Sequence, residues 1–163
     1  MASTISNITA AFTHAKLDSI KGEPNYESLK KFREELGENA ARIPTTYGGG
    51  KYGHLGLIIK PNVYLTLAGT AFEIPNDPGL YDENINKRAL AGQRSRMERE
   101  HDKRKAEYDL CIAVNNALKN QIIEAIKGPY LMKLRDRRFG YLNSSPMDML
   151  DHLFDRYEKL HGH

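Results

Sequence analysis

The chain has no tryptophan and only one cysteine, Cys111. It can therefore form neither an internal disulfide nor a cluster of thiolate metal ligands, and a lone cysteine within a helical segment is expected to fill core space. Long hydrophobic runs are missing too: Leu55 to Ile59 is interrupted by Gly56, and no run approaches the roughly 20 apolar residues that a membrane-spanning helix needs. No membrane partner is expected. Met1 to Phe12 is rich in Ser and Thr but has neither the basic nor the apolar region of a secretory signal, so the expected location is intracellular, in the cytoplasm. Charge of one sign does not dominate either. The formal net charge is +3, too small for bulk charge alone to establish nucleic-acid binding.

Catalytic patterns are equally scarce. The histidines at 14, 54, 101, 152, 161 and 163 include no pair four residues apart, the spacing that places two metal ligands on one helical face. Gly-x-Ser-x-Gly is absent. Asp148 and Asp151 fall at the start of a helix, where carboxylates complement the helix dipole without any catalytic role. No enzyme activity, cofactor, metal or small-molecule substrate is expected.

What is present is an amphipathic, helix-forming chain. Hydrophobic residues at 40% and charged residues at 28% over 163 residues fit one globular domain. Residues 1 to 24 carry scattered apolar positions and read as an arm or a short docked helix. From Tyr26, Leu29, Phe32, Leu36, Ala40 and Ile43 recur three or four apart, with Asn25 as N-cap and Pro44 closing the helix. A glycine-dense loop follows from Thr45 to His54. Leu55 to Lys60 suits a short extended segment, and Pro61 starts a brief helix ending near Gly69.

Turn chemistry from Ile74 to Gly79 precedes the longest helix, expected from about Glu83 towards Ile126. One face carries Met97, His101, Tyr108, Cys111 or Ile112, Leu118, Ile122 and Ile126, with the second half buried and the first half solvated. Glu100-His101-Asp102 reads as polar surface. After Gly128-Pro129, a short helix carries Tyr130, Leu131 and Leu134. Ser145-Pro146 then caps a final helix whose stripe is Met147, Leu150, Leu153, Phe154, Tyr157 and Leu160. The fold class is all-α: a compact bundle of about five to six helices with a glycine-rich loop and a short extended segment.

Two features invite a functional reading. Gly48-Gly49-Gly50-Lys51 suggests a phosphate loop, but Gly53 is followed by His54 and Leu55 where a Walker motif needs Lys and then Ser or Thr. A plain flexible loop is the simpler account. Lys87, Arg88, Arg94, Arg96, Arg99, Lys103, Arg104 and Lys105 form a basic stretch against Glu98, Glu100 and Asp102, suited to salt-sensitive, sequence-blind phosphate contacts; the alternative is a solvated face whose acids pair with nearby bases. Arg135, Arg137 and Arg138 make a second, smaller basic cluster.

Several stretches taken together carry a family resemblance: Tyr26-Glu27-Ser28-Leu29, Glu35-Leu36-Gly37-Glu38-Asn39-Ala40, and Gly48-Gly49-Gly50-Lys51-Tyr52-Gly53-His54-Leu55-Gly56-Leu57. They continue through Pro61-x-x-Tyr64, Gln121 to Ile126, Tyr130-Leu131-x-x-Leu134-Arg135-Asp136, Phe139-Gly140 and Pro146 to Tyr157. Over about residues 26 to 157 the chain resembles Gag-like capsid proteins of copia-type retrotransposons, in particular their amino-terminal capsid domain. The expected organisation is an arm at 1–24, a helical capsid-like domain at 25–160 and a tail at 161–163. The resemblance implies homo-oligomeric shells around RNA, with no cofactor and no catalytic residues. Leu29, Phe32, Leu36, Leu150, Leu153, Phe154 and Tyr157 would serve the core or subunit contacts, and the basic helix would face RNA or a neighbouring subunit. The family's second helical capsid domain and Cys-x-x-Cys zinc knuckle have no counterpart in these 163 residues. A different class of reading, carried alongside, is a basic helical module co-opted for nucleic-acid binding.

Overall fold

A computed structural model describes residues 5–81 and 90–157. Among them the architecture is all-α, with helices α1 (Ile5–Ala11), α2 (Tyr26–Arg42), α3 (Pro61–Ala68), α4 (Ala91–Ala125), α5 (Gly128–Leu131) and α6 (Pro146–Tyr157). No strand occurs among the described residues, only an isolated bridge between Asp136 and Gly140.

Capping chemistry sets the helix ends where the sequence is most explicit. Asn25 Oδ1 accepts the Ser28 N–H at 2.9 Å while Ser28 Oγ accepts the Asn25 N–H at 3.0 Å, so both donors at the start of α2 are satisfied reciprocally. At the other end Ile43, preceding Pro44, is extended. Pro61 opens α3, and Gly69, with φ +77°, closes it in the left-handed region. In α6 the Ser145 hydroxyl accepts the Asp148 N–H and the Asp148 carboxylate accepts the Ser145 N–H, each at 3.0 Å.

The core forms where α2, α4 and α6 meet. Leu29, Phe32 and Leu36 from α2 pack with Cys111, Val114, Leu118 and Ile122 from α4 and with Met149, Leu150, Leu153, Phe154 and Tyr157 from α6, all buried. Of the two roles left open for the α2 and α6 stripes, the structure shows core. The first segment also belongs here: α1 lies on α4, and Ile8, Phe12 and Leu17 join the same cluster, so the docked alternative is the one observed.

Three local expectations are corrected. Leu55–Leu57 is a 3-10 turn with Ile58 in the right-handed helical region, not an extended segment; buried Leu57 and Ile58 reach the core better from a turn than from a strand without a partner. The long helix starts at Ala91, because Leu90 is extended and its N–H is held by Gln93 Oε1 at 3.1 Å; Glu83 lies outside the described residues. His101 is not polar surface. It is buried, with Nε2 2.9 Å from the Gly79 carbonyl and its ring edge-on to Tyr81, and so holds the Ile74 to Gly79 turn against α4.

Beyond this contact α4 leaves the body. Its 35 residues span about 52 Å, and every residue from Ala91 to Glu100 is exposed, whereas the stretch after His101 supplies the core face. Among the described residues no helix is long and apolar enough to cross a membrane.

Candidate functional site

The projecting start of α4 carries Arg94, Arg96 and Arg99 of the basic stretch, and Lys103, Arg104 and Lys105 follow just after His101. Arg96, Arg99 and Lys103, three and four residues apart, share one side of the helix, and His101 anchors the opposite side. These three and Arg104 are exposed, and none forms an ion pair among the described residues. The acids Glu98, Glu100 and Asp102 do not pair with them either. Arg94 is exposed as well. Lys105 separates from the group: its Nζ lies 3.0 Å from Asp77 and 3.1 Å from Asp109, contacts that raise its pKa and commit the charge to holding the turn. Lys87 and Arg88 lie outside the described residues. The structure thus brings Arg96, Arg99 and Lys103 onto one side of α4 around its emergence from the body, leaves Arg104 exposed nearby, and takes Lys105 away.

The glycine loop is a packed element. Gly48, Gly49 and Gly50 all have positive φ, and a Cβ on Gly48 would stand 2.4 Å from Tyr64 Oη and 2.7 Å from Phe72 Cδ2. The buried Tyr64 hydroxyl donates to the Gly48 carbonyl at 2.7 Å, and Phe72 meets Tyr64 and Tyr47 edge-on. Lys51 is exposed and rests over the Tyr52 ring. Gly48 therefore lets the backbone approach aromatic rings, and positive φ at all three positions gives a structural reason for the Gly-rich sequence.

Behind this loop lie polar groups that sequence reasoning did not single out. His54 is fully buried; its N–H donates to Ala40 O at 2.8 Å, Nδ1 lies 2.7 Å from Ile43 O, and Nε2 has no partner. Burial lowers the imidazole pKa, against the opposing pull of the Ile43 carbonyl and Glu107, and favours a neutral ring with its proton on Nδ1. Glu107 Oε1 accepts from Thr45 Oγ1 at 2.8 Å, from Thr46 Oγ1 at 2.6 Å and from the Thr46 N–H. Burial pushes this carboxyl up, but the threonine bonds outweigh it and hold it below its ordinary value. Burial also pushes the Cys111 thiol up to about 11, so the side chain is an inert part of the core. An open hollow of about 660 Å³ beside Thr45, Thr46, Gly49, Glu107 and Leu110 presents mainly apolar walls, with the Glu107 oxygen Oε1 already engaged.

A second polar knot ties the first segment down. Asn39 Oδ1 accepts the His14 N–H at 2.7 Å, and Asn39 Nδ2 donates to His14 O and to Gln121 Oε1, each at 2.9 Å. Gln121 Nε2 also donates to His14 O, at 2.9 Å. The available signal was two amides lying within otherwise apolar stripes. Among the described residues no group of three His, Cys, Asp or Glu side chains is placed to hold a metal ion. Comparison with protein families, characterised proteins and solved structures finds no match to this chain.

Proposed function

We propose that this chain is a structural, self-associating domain of the Gag-like capsid type, without catalytic activity, whose copies pack into homo-oligomeric particles. The observation that supports the reading is the outer surface of α3. Val63 and Leu67, one turn apart on one side, are 50% and 49% exposed, and Leu65, on another side of the same helix, is 49% exposed, while fully buried Tyr64 fixes the helix to the body. The stripes of α2 and α6, expected to serve the core or subunit contacts, are buried in the intramolecular core, and in this reading copies meet through α3. The test is light scattering coupled to size exclusion across protein concentration, with electron microscopy of the largest species. Regular particles that disperse on Val63→Lys together with Leu67→Glu would support the reading, and a monomer at every concentration would refute it.

A second reading, favoured by the unpaired stripe Arg96, Arg99 and Lys103, is that α4 contacts nucleic-acid phosphates without reading sequence. Binding that falls steeply with salt, and less steeply after all three are changed to Gln, would support it. Binding unaffected by the triple change would exclude it.

A further inference from the structure

The segment between α5 and α6 builds a small rigid projection. Asp136 and Gly140 exchange both backbone hydrogen bonds, at 2.7 and 3.0 Å, and Gly140 takes the left-handed conformation, φ +62°, that closes so tight a turn. The Asp136 carboxylate is turned to the backbone: Oδ1 accepts the N–H groups of Arg138 at 2.7 Å and Phe139 at 3.0 Å, which holds its pKa below the ordinary carboxylate value. Both flanks are anchored. Leu134 and Tyr141 pack against the core, and the buried Lys119 ammonium donates to Tyr141 O at 2.6 Å.

This arrangement leaves the tip strongly basic. Arg135, Arg137 and Arg138 are exposed, form no ion pair among the described residues, and outnumber the one acid within the turn, the ionised Asp136, whose Oδ1 accepts from two backbone N–H groups. Next to them Phe139 is 55% exposed although it sits in an ordered, hydrogen-bonded turn. An aromatic face with guanidinium groups on neighbouring residues matches one ligand chemistry well: phosphates for the planar, bidentate donors and an unstacked base for the ring. A duplex offers the ring no free base face. An anionic lipid surface would offer the arginines phosphates but no planar base for the ring, so vesicles serve as the competing ligand in the test.

We propose that the Asp136–Gly140 turn is a preformed contact for single-stranded nucleic acid, with Arg135, Arg137 and Arg138 on the phosphates and Phe139 stacked on a base. The contact is independent of α4 and does not require self-association. Because the turn is already ordered, little conformational entropy is lost on binding.

The test is fluorescence anisotropy of the full chain with a labelled twelve-nucleotide oligouridine, titrated at several salt concentrations, beside the same length of duplex and beside phosphatidylserine vesicles. Phe139→Ala should weaken oligouridine binding about 5- to 150-fold and leave the salt dependence unchanged. Arg137→Gln with Arg138→Gln should lower the slope of log affinity against log salt by about 1.4, two phosphate contacts' worth for a single strand. All three side chains are exposed, so circular dichroism melts should coincide with the parent. Oligouridine binding unchanged by both variants, equal affinity for duplex, a Phe139-dependent preference for vesicles, or no binding at low salt would each overturn the proposal. Light scattering on the same samples reports self-association separately, so failure of either idea is visible without the other.

Discussion

Replacing Asn39 by Ala should be among the most damaging single changes outside the apolar core, and the reason can be worked from the contacts. Three hydrogen bonds disappear, and two groups lose the partner that Asn39 supplied: the His14 N–H and the Gln121 oxygen Oε1. The His14 carbonyl keeps its bond from Gln121 Nε2. A buried polar group left without a partner costs about 1–3 kcal/mol, so two such groups predict a loss of roughly 2–4 kcal/mol once partial access of water to the His14 segment is allowed for. For a chain of this size that is a fall in Tm of roughly 5–15 °C. The assay is urea unfolding followed by circular dichroism for the parent, Asn39→Ala, Gln121→Ala and the double variant. Because the two amides bond each other at 2.9 Å, the double variant should lose at least about 1 kcal/mol less than the sum of the singles. A loss below about 1 kcal/mol for Asn39→Ala, or strictly additive losses, would refute the claim that this network holds the first segment to α2 and α4.

Other perturbations test other parts of the fold. His54 has a folded-state pKa below its ordinary 6.5, so the unfolded chain takes up a proton that the folded ring resists; stability should be full above about pH 6.5 and decline below it by up to about 1.4 kcal/mol per pH unit, a slope that His54→Asn should remove in urea melts between pH 7.5 and 5. Gly48→Ala should cost roughly 2–4 kcal/mol in the same melts, since it combines φ +66° with a Cβ 2.4 Å from Tyr64 Oη. Gly69→Ala, at φ +77° but in open space, should cost only about 1–2 kcal/mol. Ser145→Ala removes the acceptor for the Asp148 N–H and should lower stability by about 1 kcal/mol, read as a Tm decrease of about 2–4 °C.

Helix formation was legible wherever a local rule applied. The spacing of Leu29, Phe32 and Leu36 and the N-cap at Asn25 defined α2, Pro61 and Gly69 bracketed α3, and Ser145-Pro146 marked the start of α6. The division of the long helix into a solvated first half and a buried second half could also be read, from where apolar residues begin to recur. Leu55 to Ile59 misled, because a short apolar run has no periodicity that separates a strand from a buried turn.

The candidate surfaces divide in the same way. That Lys87 to Lys105 and Arg135 to Arg138 are basic is a property of the chain. Which charges stay unpaired is not, since Lys105 meets Asp77 28 residues away and Asp136 turns its carboxylate onto the N–H groups of Arg138 and Phe139. The sequence by itself determined an all-α fold, most helix ends and the sign of the surface charge, because these depend on neighbours within one or two helical turns. Only the tertiary structure decided that α2 and α6 use up their apolar stripes on α4, that His54, Asn39 and Gln121 are buried, and that Phe139 is held in the open. Those outcomes depend on which distant segments share the limited interior, and residues 25 to 107 positions apart in the chain carry no local mark of meeting there.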